Sequence, residues 1–447
     1  MTQVIEELKK KFSGKKVLVV GLGLQGGGLG VAKFFCELGA KVKVTDRKTS
    51  QQLEQSLKQL QGLNVEITLG EHKLSDFLET DIIFKGPSVP WDLPQLKAAQ
   101  RKGIPVEMET SFFASYCPAK IIGITGTRGK TTTTIMIYEL LKTAGLNPYL
   151  AGNIPQTPAI NLLKTVNAND WIILELSSWQ LSGFASKKIS PHIAVFTNLY
   201  PDHLNLYDNM NDYFSDKKAI FNNQKEGDYL IINENLKLKI LPQEIKSKII
   251  YFNGQQFNEE FQYLKGEHNK ENAAAALVVA NILNLDSPQC INTLKSFQRI
   301  PFRQQIIGKK GNVIFINDTT STTPTATIKA IDAFADKPTY LILGGNSKNL
   351  PFDHLINELS KVKKIILLAG TFTREIEFQL REKYADKITE TYSDLEKAVL
   401  KAYELAKNQK EEAYVLFSPG ATSFAMFNNE FHRGEEFNKI VKSKIKD

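Results

Sequence analysis

The stretch "GITGTRGKTTTT", Gly123 to Thr134, sets four threonines behind a glycine–lysine pair, directly after the apolar run "AKIIGIT". Glycines let backbone N–H groups approach an anion, a lysine adds a point charge, and the first hydroxyl after it can hold Mg²⁺. In this reading Gly126, Thr127 and Gly129 shape a phosphate cradle, Lys130 touches the β- and γ-phosphates, and Thr131 or Thr132 ligates the metal. The stretch is an imperfect Walker A loop, because the position five before Gly129 is Ile124, with Gly123 and Gly126 close by. The alternative is an ordinary strand-to-helix turn.

Two further apolar runs end in groups that suit a metal–nucleotide complex. "DWIILELSSWQL" places Glu175 near a strand end, and "HIAVFTNLYPDHLNLY" does the same for Asp202 and His203. Ligands of open α/β sheets bind at the carboxyl ends of the strands, so three such ends belong together more readily than any one alone. A second glycine-rich segment, "GLGLQGGGLG", holds G-x-G-x-x-G at Gly21, Gly23 and Gly26, with Asp46 closing the next strand. By itself that is a dinucleotide fingerprint, and a dehydrogenase is the rival reading from another class.

The elements that must position these residues alternate. The first third reads "KKVLVVGLG", a helix through Val31 to Leu38, "KVKVTD", a helical stretch from Ser50 to Leu60, "NVEITLG" and "DIIFKGPSVP". The middle carries strands "AKIIGIT", "DWIILEL" and "HIAVFTN", with helices after the glycine loop and across Ala273 to Leu285. The last third reads "NVIFIND", a helix over Thr327 to Phe334, "TYLILGG", a helix over Asp353 to Leu359, "KIILLAG", one long helix and "AYVLFSPG". Short β-branched runs between helical periods predict parallel, doubly wound α/β sheets. With 447 residues the chain exceeds one core. Breaks at "GIPVEMETSFFASYCPAK" and "RIPFRQQ" divide it into domains 1–105, 106–300 and 301–447.

Composition sets the remaining limits. The chain is 42% hydrophobic and 23% charged, as in globular proteins, and its net charge of +8 suits an acidic ligand such as a nucleotide. The basic residues are dispersed, and "KKKFSGKK" reads as a solvated helix end, so no nucleic-acid partner is expected. Cys36, Cys117 and Cys290 are few and far apart, which predicts reduced thiols in a cytoplasmic protein. No segment reaches the ~20 apolar residues of a membrane span. A monomer is expected.

Taken in order, "GITGTRGKTTTT", "ELSSWQL", "NLYPDHL" and "GEHNKENAAAAL" resemble the central ATPase domain of the Mur ligases, and "FSPGATSFAMF" resembles the MurD branch. The resemblance covers nearly the whole chain and implies a Rossmann-like N-terminal domain, a P-loop-type ATPase domain and a Rossmann-like C-terminal domain. It implies an ATP- and Mg²⁺-dependent amide ligase that adds D-glutamate to UDP-N-acetylmuramoyl-L-alanine through an acyl phosphate. L-glutamate, or another Mur-type or polyglutamate ligation, is the alternative. A P-loop binding module is a third reading, which leaves the last domain unexplained.

By the same resemblance Lys130, Glu175, His203 and Lys217 are catalytic, and Thr131, Glu175, His203 and Lys217 surround Mg²⁺. Lys217, in "YFSDKKAIF", matches a lysine that the family carries as a carbamate. An ammonium 4 Å from Mg²⁺ would be repelled by about 8 kcal/mol at an effective dielectric near 20, whereas a carbamate is attracted. Asn272, Arg303 and Asp318 match nucleotide contacts; Gly21, Gly23, Leu24, Asp46, Arg47 and Asn153 match the UDP-substrate side. Thr322, Lys348, Ser423 and Phe431 match the glutamate side. The chain departs from the family at "NDTTSTT", where Thr320 replaces a lysine and Thr323 an asparagine, and Phe431 stands one place later than the usual aromatic.

Overall fold

The computed structural model describes residues 2–24, 26–154, 158–203, 207–298, 300–423 and 426–445. It separates into two compact units. The first comprises Met1–Leu199, Tyr213–Asn253 and Ala275–Cys290; the second comprises Tyr200–Asp212, Gly254–Ala274 and Ile291–Asp447.

The first unit contains two sheets. One is built from β1 (Lys16–Val20), β2 (Lys41–Asp46), β3 (Val65–Leu69), β4 (Ile82–Lys85) and β5 (Val106–Glu107) in the order β3-β2-β1-β4-β5. All pairs are parallel. The runs KVLVV and IIFK are buried on both faces, which is why they read as continuous apolar segments rather than alternating ones. Strand order reverses between β1 and β4, opening a crevice at their carboxyl ends.

The second sheet comprises β6 (Lys120–Thr125), β7 (Pro148–Gly152), β8 (Trp171–Glu175), β9 (Ile193–Phe196), β10 (Tyr229–Asn233) and β11 (Lys248–Phe252), ordered β11-β10-β9-β6-β8-β7. It too is wholly parallel. The two layers share a core in which the rings of Phe12, Phe35, Phe84 and Phe112 meet edge-on or tilted, with centroids 4.8–6.0 Å apart. Gly30, on the helix Gly27–Glu37, permits a close approach of that helix to Pro158, since a Cβ there would overlap the proline ring.

The second unit holds β12 (Gln305–Lys310), β13 (Val313–Asn317), β14 (Thr339–Gly344), β15 (Lys364–Leu368), β16 (Ile388–Tyr392) and β17 (Ala413–Phe417) in the order β12-β13-β17-β14-β15-β16. Five strands are parallel; β12 returns antiparallel on β13 through a hairpin.

The sequence reading finds most of the buried strands and misses several at the edges. The single long helix expected after "KIILLAG" is two, Thr371–Tyr384 and Leu395–Lys407, with β16 between them. β16 is the sheet edge and reads ITETY, with two exposed residues in five, so its apolar signal is broken. The linker "RIPFRQQ" runs into the edge strand β12 for the same reason. The helical stretch Ser50–Leu60 shrinks to Glu54–Lys58, and the helix expected at Val31–Leu38 begins earlier, at Gly27. β7, β10 and β11 have no counterpart in the sequence reading, although YLIIN in β10 is a legible, buried apolar run.

Candidate active site

The glycine loop leaves β6 in the middle of the second sheet and feeds the helix Lys130–Thr143. Gly129 caps that helix at φ 81°, and Gly126 sits at φ 143° so close to Thr197 that a Cβ there would overlap its hydroxyl. The loop therefore needs glycine at both positions for backbone reasons. Lys130 folds back over it, donating to the carbonyls of Gly126 and Thr127 at 3.1 Å each. Thr131 is half-buried, whereas Thr132, Thr133 and Thr134 are buried in the helix's packing.

Two residues that the sequence reading missed hold this loop in shape. Asn198 accepts from Thr127 N (2.9 Å, main-chain oxygen) and from Arg128 N (2.8 Å, side chain), and its amide donates to Arg128 O at 3.1 Å. Thr197 Oγ1 donates to the same carbonyl at 2.6 Å. Both follow β9 in "TNLYPDH", and the polar pair closing an apolar strand was the available signal.

Glu175 ends β8 beside the loop, with Ile124 opposite it in register. It is 2% exposed; one oxygen accepts from Asn153 Nδ2 at 3.0 Å, and the other, Oε2, has no hydrogen-bond partner in the structure. A buried carboxylate oxygen left unsatisfied is costly, and this one fits a bound cation. Asn153 is also tied to Glu175 through its backbone N–H at 2.8 Å. "ELSSWQL" proves to be a helix start as well, since Ser177 and Gln180 form a capping box for Ser178–Lys187.

Lys217 comes from the helix Met210–Lys218 and is 1% exposed. Its ammonium lies 4.6 Å from the Tyr213 ring centre and donates to Gly126 O at 3.0 Å, the carbonyl already holding Lys130. Two ammonium groups on one oxygen repel each other by about 3 kcal/mol at ~5 Å and an effective dielectric near 20. Lys218 is only partly buried and lies over Phe214, which separates the two neighbouring lysines by environment.

In the first sheet Gly21 and Gly23 lie at the β1 end of the crevice with φ 88° and 61°. Asp46 is turned inward, accepting from Gly23 N at 3.2 Å and Lys48 N at 2.9 Å, so it shapes the glycine turn. Arg47 and Leu24 are exposed beside it.

The second unit carries the remaining candidates. Lys348 is ion-paired with Asp202 at 3.2 Å and lies 3.3 Å from Thr322 Oγ1, and Thr322, Ser347, Lys348 and Gly420 line one small pocket. The Ser423 hydroxyl is buried without a hydrogen-bond partner. Thr320 donates to Phe302 O at 2.9 Å, and the Phe431 and Phe302 ring centres lie 6.0 Å apart. His203 adopts φ 57° and its N–H donates to Asp202 at 2.9 Å. Asn272 is buried against Asn269, 3.4 Å away. Among the described residues no three His, Cys, Asp or Glu side chains form a metal-ligating group.

Arg303 stands between two residues of positive φ, Phe302 and Gln304, and its positive charge favours the ionised form of Asp318. Asp318 accepts from Ser321 (2.6 Å), Ser418 (2.8 Å) and Gln304 N (3.1 Å). Burial outweighs these bonds and lifts its carboxyl from 3.8 to about 6. The folded state thus holds the proton more tightly than the unfolded chain. This group's contribution to stability is largest below pH 4 and is lost as pH rises through about 6, a swing of about 3 kcal/mol. In Asp318→Asn that part of the decline should vanish, read as a smaller drop in urea midpoint between pH 4.5 and 7; equal drops in both proteins would contradict the assignment.

Residues 15–107 match the MurD-like N-terminal domain of Mur ligases, 124–264 the Mur ligase middle domain, and 302–420 the glutamate ligase domain. A Roseiflexus sp. (strain RS-1) protein named UDP-N-acetylmuramoylalanine–D-glutamate ligase is 34% identical, covering 97% of this chain and 99% of its own. One of the same name from Thermoanaerobacter sp. (strain X514) is 35% identical over 96% and 99%. Among solved structures, MurF ligase from Thermotoga maritima in complex with ADP aligns over 99% of this chain and 100% of its own, at TM-score 0.60 and 17% identity, a likeness of fold. With sheets, glycine loop and full-length relatives in agreement, the chain belongs to the Mur ligase family, in its MurD-like branch.

Proposed function

We propose that this protein is an ATP-dependent, ADP-forming amide ligase that joins D-glutamate to UDP-N-acetylmuramoyl-L-alanine in peptidoglycan precursor synthesis. The observation that carries the reading is the convergence of Lys130 and Lys217 on Gly126 O, beside a buried Glu175 oxygen with no protein partner. A dehydrogenase has no use for that second phosphate site. The substrate's carboxylate attacks the γ-phosphate of ATP, giving an acyl phosphate and ADP, and the amine of glutamate then displaces phosphate. Lys130 exchanges its loop carbonyls for phosphate oxygens and stabilises the charge that shifts during transfer. Asn272, Arg303 and Asp318 hold the nucleotide, and Gly21, Gly23, Leu24, Asp46, Arg47 and Asn153 hold the UDP-substrate.

Thr131, Glu175, His203 and a carbamylated Lys217 would hold Mg²⁺, which when bound neutralises phosphate charge. The carbamate reading is supported by the two ammonium groups on one carbonyl, a repulsion that modification of Lys217 turns into attraction. We place the domain limits at 105 and 300 and the enzyme in the cytoplasm as a monomer; no helix among the described residues is long and apolar enough to cross a membrane.

Lys348, Thr322, Ser423 and Phe431 receive the glutamate, with Asp202 keeping Lys348 in place before it arrives. Incubation with ATP, glutamate and the UDP-sugar should yield ADP, phosphate and a product heavier by one glutamyl residue. Stereochemistry is tested by parallel assays. D-glutamate should show a kcat/KM at least about 100-fold above that of L-glutamate, because the wrong enantiomer leaves polar groups of the site unpaired. A higher value for L-glutamate would overturn the specificity and leave the ligation intact.

A further inference from the structure

Glu109 opens the helix Glu109–Tyr116, but its carboxylate serves a different element. Oε1 accepts from Ile160 N at 2.7 Å, in the first turn of the short 3-10 helix Ala159–Lys164. Burial lifts the carboxyl from 4.5 to about 7, against the backbone N–H groups of Ile160 and Ala159, and no cation among the described residues offsets it. Desolvation thus outweighs what the two N–H groups return, which makes this carboxylate a poor device for stability. What it holds is a strut. The short helix lies along the helix Gly27–Glu37: Pro158 packs on Gly30, where a Cβ would come within 2.7 Å of the proline ring, and the Lys164 ammonium lies 5.8 Å from the Phe34 ring centre and pairs with Glu37 at 2.5 Å. Gly30, Phe34 and Glu37 follow one another at four and three residues, so they share one face of their helix. Thr2 secures the far end of the strut, donating to Leu163 O at 2.7 Å. The helix it supports begins directly after Gly26, the last glycine of the first motif, and its opening N–H groups are those that suit a phosphate.

We propose that Glu109 is a positioning residue for the UDP-substrate: by fixing the start of the strut it sets Pro158 against Gly30, and so the place of the helix whose N-terminus faces the substrate's diphosphate. Its bonds go to backbone N–H groups of the strut, so its effect on the substrate passes through Pro158 and Gly30. The kinetic consequence rests on the UDP-substrate reading of that crevice; the mechanical link rests on the contacts alone.

Glu109→Leu, Glu109→Gln, Gly30→Ala and the double variant Glu109→Leu/Gly30→Ala test it. Glu109→Leu keeps the bulk and removes the acceptor; it should raise the KM for the UDP-substrate about 10-fold and leave kcat and the KM for ATP within about twofold. Glu109→Gln keeps an acceptor oxygen and should stay within about threefold of the wild type on every constant. Gly30→Ala, which forces Pro158 away, should match the Glu109→Leu loss, and the double variant should bind no more weakly than the worse single one, because both act on one contact. The affinity for UDP itself, measured by calorimetry, should fall in step with the KM. Amide hydrogen exchange over residues 158–166 and 27–34 should quicken about 10-fold in Glu109→Leu and stay at the wild-type rate in Glu109→Gln. An unchanged KM for the UDP-substrate, an equal rise in the KM for ATP, additive losses in the double variant, or unaltered exchange over residues 27–34 would overturn the proposal. A wild type that binds no UDP would instead overturn the substrate reading, and the exchange measurement would still decide the mechanical link.

Discussion

Lys130→Ala should lower ligase turnover by about 1,000-fold, roughly 4 kcal/mol of transition-state stabilisation, because phosphoryl transfer is catalysed mainly by fixed charge. The side chain is only half-buried and is held by two loop carbonyls, so its loss should leave the fold intact. The expected signature is a collapse in kcat with an unchanged melting temperature. Phosphate release is the measurement, in the presence of ATP, Mg²⁺, glutamate and the UDP-substrate. Activity near that of the wild type would remove the glycine loop from the site, whatever the family resemblance. Lys130→Arg should rescue poorly, since the longer planar head cannot occupy the space between Gly126 O and Thr127 O in the same way.

Lys217→Ala should be comparably inactive, and millimolar acetate or formate should restore a measurable part of the turnover by supplying an anion where the carbamate stood. The structure sharpens this expectation. Lys217 is 1% exposed and directed at the loop, while Lys218 lies partly exposed over Phe214. Lys218→Ala should therefore change kcat less than about twofold. Carboxylate rescue separates the carbamate from a lysine acting as a cation, because an added anion cannot replace a missing ammonium. Inactivity with no rescue would favour the cation; an active Lys217→Ala would discard both roles.

Much of this protein is legible in the chain itself, and the reason is burial. KVLVV, KIIGIT, WIILE, TYLILG and AYVLF are strands covered on nearly every side, so each announces itself as an apolar run, and the groups that follow them can be read as strand-end chemistry. The pairing of glycine, lysine and hydroxyl at Gly126 to Thr132 is equally local, because a phosphate cradle is made by consecutive backbone groups. Edge strands such as ITETY and QIIGKK escape that reading, since one side faces solvent and polar residues interrupt the run. Only the tertiary structure decides which residues hold the cradle from outside. Asn198 and Thr197 brace the loop from a strand some 70 residues away, with sequence separations of 69 and 70 for the bonds to Arg128. Lys217 reaches Gly126 across a separation of 91. Asp46 shows the converse: its place at a strand end is written in the sequence, but whether its carboxylate faces a ligand or its own glycine turn depends on a 3.2 Å bond to Gly23 N. Such partners are set by the order and register of parallel strands, which bring distant segments to one sheet edge, and spacing along the chain carries no record of that distance.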